Sequence, residues 1–207
     1  MDNTAERRAR WRKTLYQWHW ISSALSLVGM LLFALTGITL NNAGTFESSK
    51  PVVTRHEAVL PAALLAPLKA DPAGNDAALP APVRAWLGAQ WGVSLPALAG
   101  DWSAAEVVVD VQSPGVDALL RIDRRTGRAE LERGDRGWVA YLNDLHKGRH
   151  AGVAWSWFLD LFAGAVLLFS ITGLLILQLH AAARPLVWPI TALGLVLPVL
   201  LALLLIH

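Results

Sequence analysis

The sequence predicts a membrane protein with three transmembrane helices and a small α+β domain inserted between the first and second helices. Composition is the first observation behind this prediction: 54% of the 207 residues are hydrophobic and only 16% are charged, whereas soluble domains carry about 25% charged residues. The second is a set of three uncharged runs, each long enough at about 1.5 Å per residue to cross a hydrocarbon core about 30 Å thick. The runs are residues 21–40, 161–179 and 185–206.

The predicted segments divide the chain into five parts. A surplus of basic residues before the first span places the N-terminus in the cytoplasm, so the inserted domain lies on the opposite, periplasmic side. Arg184, in the short loop between the last two spans, favours this orientation, whereas Lys147 and Arg149 count against it. The parts are a basic N-terminus (1–17), a first transmembrane helix (18–41), the inserted domain (42–150), a second helix (151–180) and a third helix (185–206).

The inserted domain is predicted to contain two helices and three antiparallel strands. Its first part, residues 51–82, is rich in Pro and Ala and is expected to be mostly irregular with short helical pieces. Residues 82–90 are predicted to form a short helix with Trp86 and Leu87 on its apolar side, and residues 137–145 a second helix that leads into the membrane. Turn sequences separate the three strand-like runs between these helices. The predicted strands are residues 106–112, 118–123 and 128–133.

Two histidines stand near the cytoplasmic ends of the first two spans, and the sequence predicts that they lie at the same depth. His19 precedes Ser26 by seven residues, and His180 follows Gly173 by seven residues. Each histidine therefore shares a helical face with a small residue two turns deeper, which indicates space for a flat ligand between the helices. The alternative is that both histidines are ordinary interfacial side chains and that the small residues serve helix packing.

Two further histidines lie in LNDLHKGRHAG, at the outer end of the second span. His146 and His150 are four residues apart and share one face if this segment is helical. They cannot then bind opposite sides of one ring, so a second ligand must come from elsewhere, such as His207 or a second copy of the chain in a homodimer. Alternatively both are solvated residues, as is expected of His56 in the irregular segment.

Asp160 is the only acidic residue inside a predicted span. A carboxylate within a membrane is a functional candidate, and a hydrogen bond to a ligating histidine would suit it. The alternative is that it reaches the interface or pairs with Arg149. The absence of Cys excludes disulfides, thiolate metal sites and covalent c-type haem attachment. No nucleotide-binding or hydrolase motif occurs, and the basic residues are too scattered for a nucleic-acid interface.

One sequence occurs twice in the spans: LLFALTGI at residues 31–38 matches LLFSITGL at residues 167–174. The two predicted helices run in opposite directions, so a rotational repeat does not account for the match. We attribute it to common packing needs.

Several of these stretches carry a family resemblance. LNDLHKGRHAGVAWSWFLDL followed by LLFSITGLLIL, together with the earlier WHWISSAL and LLFALTGITL, resembles the PepSY-associated transmembrane family. Its relatives include bacterial inner-membrane ferric-siderophore reductases and other b-type haem electron carriers that face the periplasm. The resemblance implies that the inserted domain is PepSY-like. It also implies that haem b is bound, with His19, His146 and His180 as ligands of the haem iron.

The predicted function is therefore electron transfer, in the bacterial inner membrane, to a periplasmic redox partner or a ferric chelate. Such a protein would be an enzyme of the ferric (siderophore) reductase class. Inner and outer histidines would be separated by about 30 Å of bilayer core, which is too far for one direct electron transfer. This predicts either two haems in series or one haem that is reduced from the side of the membrane on which it lies. The alternative from another class is a non-redox protein, in which the helices anchor a PepSY-like domain that binds or inhibits a periplasmic protein.

Overall fold

A computed structural model describes residues 3–46, 50–69 and 76–206 of the chain. It divides into two compact units, one of residues 1–32 with 157–207 and one of residues 33–156. The helices are α1 (Asn3–Asn41), α2 (Ala43–Phe46), α3 (Ala62–Lys69), α4 (Ala81–Trp91), α5 (Gly137–Lys147), α6 (Gly152–His180) and α7 (Val187–Leu205). The strands are β1 (Val52–Val59), β2 (Gly100–Trp102), β3 (Glu106–Asp110), β4 (Val116–Asp123) and β5 (Arg128–Asp135).

Three helices of the described chain are long and apolar enough to cross a membrane: α1, α6 with the short 3-10 turn after it, and α7. They confirm the prediction of three apolar helices of membrane-spanning length. The helix α1 extends well beyond its apolar run, because the basic segment before it contains no Pro or Gly and is rich in helix-favouring Ala, Arg, Glu and Lys. The α7 helix is apolar and exposed on all sides within the described chain, as expected of a helix that faces lipid.

The first unit contains an antiparallel contact between α1 and α6. His19 meets Thr172, and ten residues further along α1, Gly29 meets Phe162, ten residues earlier in α6. A β-carbon at Gly29 would overlap the Phe162 ring. Ser22 and Ser26, on the same face of α1, are fully buried, and their hydroxyls donate to backbone carbonyls of α1 itself. The small residues therefore serve close helix packing, which the sequence had offered as the alternative to space for a flat ligand.

The second unit contains a five-stranded antiparallel sheet with the order β1-β5-β4-β3-β2. The three predicted strands are present, but β1 and β2 were missed. The β1 strand lies in the segment predicted to be irregular, and it pairs with β5 along its whole length. It buries almost none of its side chains, so its strand conformation comes from pairing and not from a hydrophobic pattern that the sequence could show. The β2 strand has only three residues.

One face of this sheet packs against α3 and α4. The core includes Val83 and Leu87 of α4 together with Val107, Leu120 and Ile122 of the strands, all fully buried. The predicted helix at residues 82–90 is confirmed, with Leu87 inward. Between β4 and β5, backbone N–H groups of the turn donate to the Asp123 carboxylate, and these hydrogen bonds lower the pKa of Asp123.

Candidate functional site

The His19 side chain lies in a cradle formed by three residues of α6, which we call the His19 cradle. The Nδ1 atom of His19 is 3.0 Å from the Thr172 hydroxyl. The Phe169 ring stacks on the imidazole, with ring centroids 4.9 Å apart and planes 16° from parallel. Gly173 lies beneath the ring, because a β-carbon added there would stand 3.4 Å from the imidazole Cε1. The imidazole is thus bonded on one nitrogen, stacked on one face and packed on a glycine.

The His146 side chain, on α5, lies in a corresponding cradle formed by three residues of α1, the His146 cradle. Its Nδ1 atom is 2.7 Å from the Thr36 hydroxyl. The Phe33 ring lies against the imidazole, with centroids 4.9 Å apart and a tilt of 41°. A β-carbon added at Gly37 would stand 3.6 Å from the imidazole Cε1. Hydroxyl, aromatic ring and glycine therefore recur around this second histidine.

The two cradles are built by the two copies of the repeated sequence. In each copy a Phe is followed by Thr three residues later and Gly four residues later, a spacing that puts all three on one helical face. Sequence reasoning found the repeat but attributed it to packing, and so missed Thr36, Thr172, Phe33 and Phe169 as contacts of the histidines. The available signal was a Thr next to Gly in an apolar span, repeated with the same aromatic residue before it.

Two buried polar residues of α5 hold the helix that carries His146. The Asn143 side-chain carbonyl accepts a hydrogen bond from the Thr39 hydroxyl of α1 at 2.8 Å. The Asp144 carboxylate accepts from the backbone N–H of Gly115 at 2.9 Å and from the Arg136 guanidinium. Asn143 and Asp144 are each about 1% exposed. The end of α5 is therefore fixed to α1 on one side and to the β3–β4 turn on the other.

The structure does not bring His180 opposite His19, so the prediction of a common depth is wrong. His19 meets Thr172, which is eight residues before His180, a distance of about 12 Å along α6. His180 is exposed, and its Nδ1 bonds the Ile176 carbonyl of its own helix at 2.9 Å. The space predicted beside Gly173 is filled by the His19 ring itself.

His146 and His150 do not share a helical face, which corrects the second geometric prediction. The α5 helix ends at Lys147, where Gly148 adopts the left-handed conformation with φ 68° that closes many helices. His150 follows outside the helix, is exposed and has φ 55°.

Three predicted residues remain: His207, His56 and Asp160. His207 lies outside the described residues. His56 is on β1, with its ring 6.1 Å from that of Trp91. Asp160 is exposed on α6, and within the described part of the chain it makes no hydrogen bond to His19. The hydrogen bonds predicted from Asp160 are supplied to the imidazoles by the two threonines instead.

Each cradle histidine has one ring nitrogen that makes no hydrogen bond to the described residues. Within the described ranges, Nε2 of His19 and of His146 makes no hydrogen bond, and an imidazole bound through Nδ1 presents Nε2 to a metal. No group of three or more His, Cys, Asp or Glu side chains that could hold a metal ion occurs in the same ranges. A metal bound here must therefore bring most of its own ligands, as iron does in a porphyrin.

Comparison with known families gives one match. The model of a family described as "Putative PepSY_TM-like" matches residues 10–207, a range that contains both cradles and the five-stranded sheet. No curated protein and no solved structure matches significantly.

Proposed function

Because the chain belongs to the putative PepSY_TM-like family and is a multi-pass membrane protein, we propose that it is a bacterial inner-membrane b-type haem protein that transfers electrons to a periplasmic acceptor. One observation carries this proposal. The same arrangement of Phe, Thr and Gly holds a single imidazole in each of two places, and each time the contact uses Nδ1 and leaves Nε2 available for a metal.

Each residue of a cradle has a physical task in this proposal. His19 and His146 would be the iron ligands, and the bound haem would supply a one-electron couple between ferric and ferrous iron. Thr172 and Thr36 hold the two rings by hydrogen bonds. Phe169 stacks on the His19 ring, and Phe33 lies tilted against the His146 ring. A ring held on three sides loses little further freedom when its remaining nitrogen binds, which favours binding.

A homodimer would supply the ligand that one chain lacks. In the described residues no second histidine bonds or stacks on either cradle histidine, whereas a bis-histidine haem needs one ligand on each face. We propose that a second copy presents its His180 or His150, both exposed. Haem-loaded protein should therefore run at twice the chain mass in native mass spectrometry. A haem-loaded monomer would contradict this part of the proposal.

The orientation follows from charge. Five basic residues precede the apolar part of α1 against two acidic ones, which favours a cytoplasmic N-terminus and a periplasmic inserted domain. Reporter fusions at Gly100 should then behave as periplasmic and fusions at Ala182 as cytoplasmic. The reverse pattern would overturn the orientation and leave the two cradles unaffected.

The acceptor is proposed to be ferric iron, free or in a siderophore. One electron from a donor protein or diffusible reductant would pass to ferric iron and give ferrous iron, so that the protein acts as a ferric reductase. The resemblance to ferric-siderophore reductases supports this choice, and we propose that the inserted domain holds the chelate.

An absorbance spectrum tests the proposed function. Full-length protein purified in detergent from cells supplied with iron should show a Soret band and, after reduction with dithionite, a b-type α band. Protein that is folded but lacks both bands after incubation with haemin would contradict the proposal.

A second candidate function is a membrane-anchored domain without redox activity, which binds a periplasmic protein. Polar side chains also join membrane helices by hydrogen bonds, and the His19–Thr172 contact across α1 and α6 fits that role. Absence of haem together with co-purification of a defined periplasmic protein would favour this second candidate.

A further inference from the structure

We infer that the repeated sequence Phe-x-x-Thr-Gly is a histidine-holding unit in which the threonine selects the tautomer of the imidazole, with the proton on Nδ1 and the lone pair on Nε2. The unit occurs twice, at Phe33 to Gly37 and at Phe169 to Gly173. This inference deepens the proposed function and rests on it only for the identity of the metal group that Nε2 would bind.

The contacts of the Thr172 hydroxyl with backbone carbonyl oxygens determine the direction of its hydrogen bond with His19. Its oxygen is 2.7 Å from the Leu168 carbonyl oxygen and 3.0 Å from that of Phe169. A carbonyl oxygen can only accept, and a hydroxyl has one proton, so Thr172 donates to its own helix. At Nδ1 of His19 the same hydroxyl must therefore accept, and Nδ1 carries the proton. A neutral imidazole has one such proton, which leaves Nε2 with its lone pair.

The same reasoning applies to the second unit. The Thr36 hydroxyl is 3.2 Å from the Phe33 carbonyl oxygen of its own helix and 2.7 Å from Nδ1 of His146. His146 Nδ1 is then the donor. At His180 the acceptor is a backbone carbonyl at 2.9 Å, which leaves no choice of direction, so this histidine serves as an internal reference for the Nδ1–H form.

An aromatic ring and the glycine support the threonine in each unit. The Phe169 ring stacks on one face of the His19 imidazole, and the Phe33 ring lies tilted against the His146 imidazole. The Gly lets the imidazole approach the helix so that Nδ1 reaches the hydroxyl. The Thr–carbonyl bond alone does not define the unit. Thr191 of α7 makes the same bond, to the Val187 carbonyl at 2.8 Å, without a histidine partner in the described chain. Thr191 is therefore the matched control.

The experiment measures tautomers in the full-length protein without haem. Histidine-selective 15N labelling, in detergent at a pH high enough to keep the imidazoles neutral, reports which ring nitrogen carries a proton, and His→Gln variants assign the signals. We expect His19 and His146 to carry the proton on Nδ1. Thr172→Val should lower the ratio of the Nδ1–H to the Nε2–H tautomer of His19 alone, and Thr36→Val that of His146 alone, by roughly fivefold, the change that one ordinary hydrogen bond supports.

Two further variants separate tautomer selection from a general loss of structure. Thr→Ser keeps the hydroxyl and should restore the wild-type tautomer at either site, and Thr191→Val should leave both histidines unchanged. A wild-type His19 or His146 with its proton on Nε2 would overturn the inference whatever the variants do. So would a Thr→Val variant that keeps the Nδ1–H form with wild-type population.

The outcome is distinguishable from that of the proposed function. Nδ1–H tautomers in protein that shows no haem bands would uphold the histidine-holding unit and contradict the haem protein. Haem bands in protein whose cradle histidines are Nε2–H before haem is added would contradict the unit and leave the haem protein standing.

Discussion

Full-length protein with His19→Ala should lose about half of its haem, and protein with His146→Ala should lose ferric reduction while it keeps the haem at His19. The reason is the same in both cases: each cradle holds one imidazole, and alanine would leave the iron of the proposed haem without that ligand. Haem content is measured by the pyridine haemochrome spectrum against protein concentration, and ferric reduction by the formation of a ferrous chelate.

His56 provides the control for this experiment, and His180 and His150 test whether a second copy supplies ligands. His56→Ala changes a residue of β1 that lies in neither cradle, so haem content and reduction should both stay at wild-type values. His180→Ala and His150→Ala should lower haem content only if a second copy presents them as ligands. Full haem and full reduction in His146→Ala would show that the site of ferric reduction is elsewhere.

The three long helices were predictable because the apolar composition of a membrane-spanning segment is itself enough to indicate a helix. An uncharged run of about twenty residues has few other stable conformations. The α4 helix and the strands β3, β4 and β5 were predictable for a similar reason, since each carries an apolar pattern that its own burial requires. The edge strand β1 carries none, and its conformation depends on β5, which lies far away along the chain.

The candidate site was predictable only in part, because it depends on the register between helices. The sequence indicated His19 and His146 as candidate ligands, but it could not show that Thr172 lies opposite His19, since sliding α6 by two turns would put His180 there instead. Gly148 was a readable signal, because a glycine directly after a helical pattern favours a C-terminal cap. A helix that ends at this glycine separates His146 from His150, and the sequence alone contains that information.

Replacing Asp144 by alanine should destabilise the inserted domain by about 1.5–3 kcal/mol, the usual contribution of a hydrogen bond to a charged group. The Asp144 side chain is 2% exposed and accepts hydrogen bonds from the Gly115 backbone and the Arg136 guanidinium. Alanine leaves a partly buried guanidinium without this partner. Pulse proteolysis of full-length protein in increasing urea measures the free energy of unfolding of this domain.

Asp117→Ala is the matched control, because Asp117 contacts the same guanidinium at 3.0 Å but its side chain is 59% exposed. A pair whose carboxylate is exposed to solvent contributes about 0–1 kcal/mol, so this variant should unfold close to the wild-type urea concentration. Since Asp144 also fixes the end of α5 that carries His146, Asp144→Ala should reduce haem bound at His146 while haem at His19 is retained. Equal unfolding free energies for the two variants would contradict the role given to the buried carboxylate.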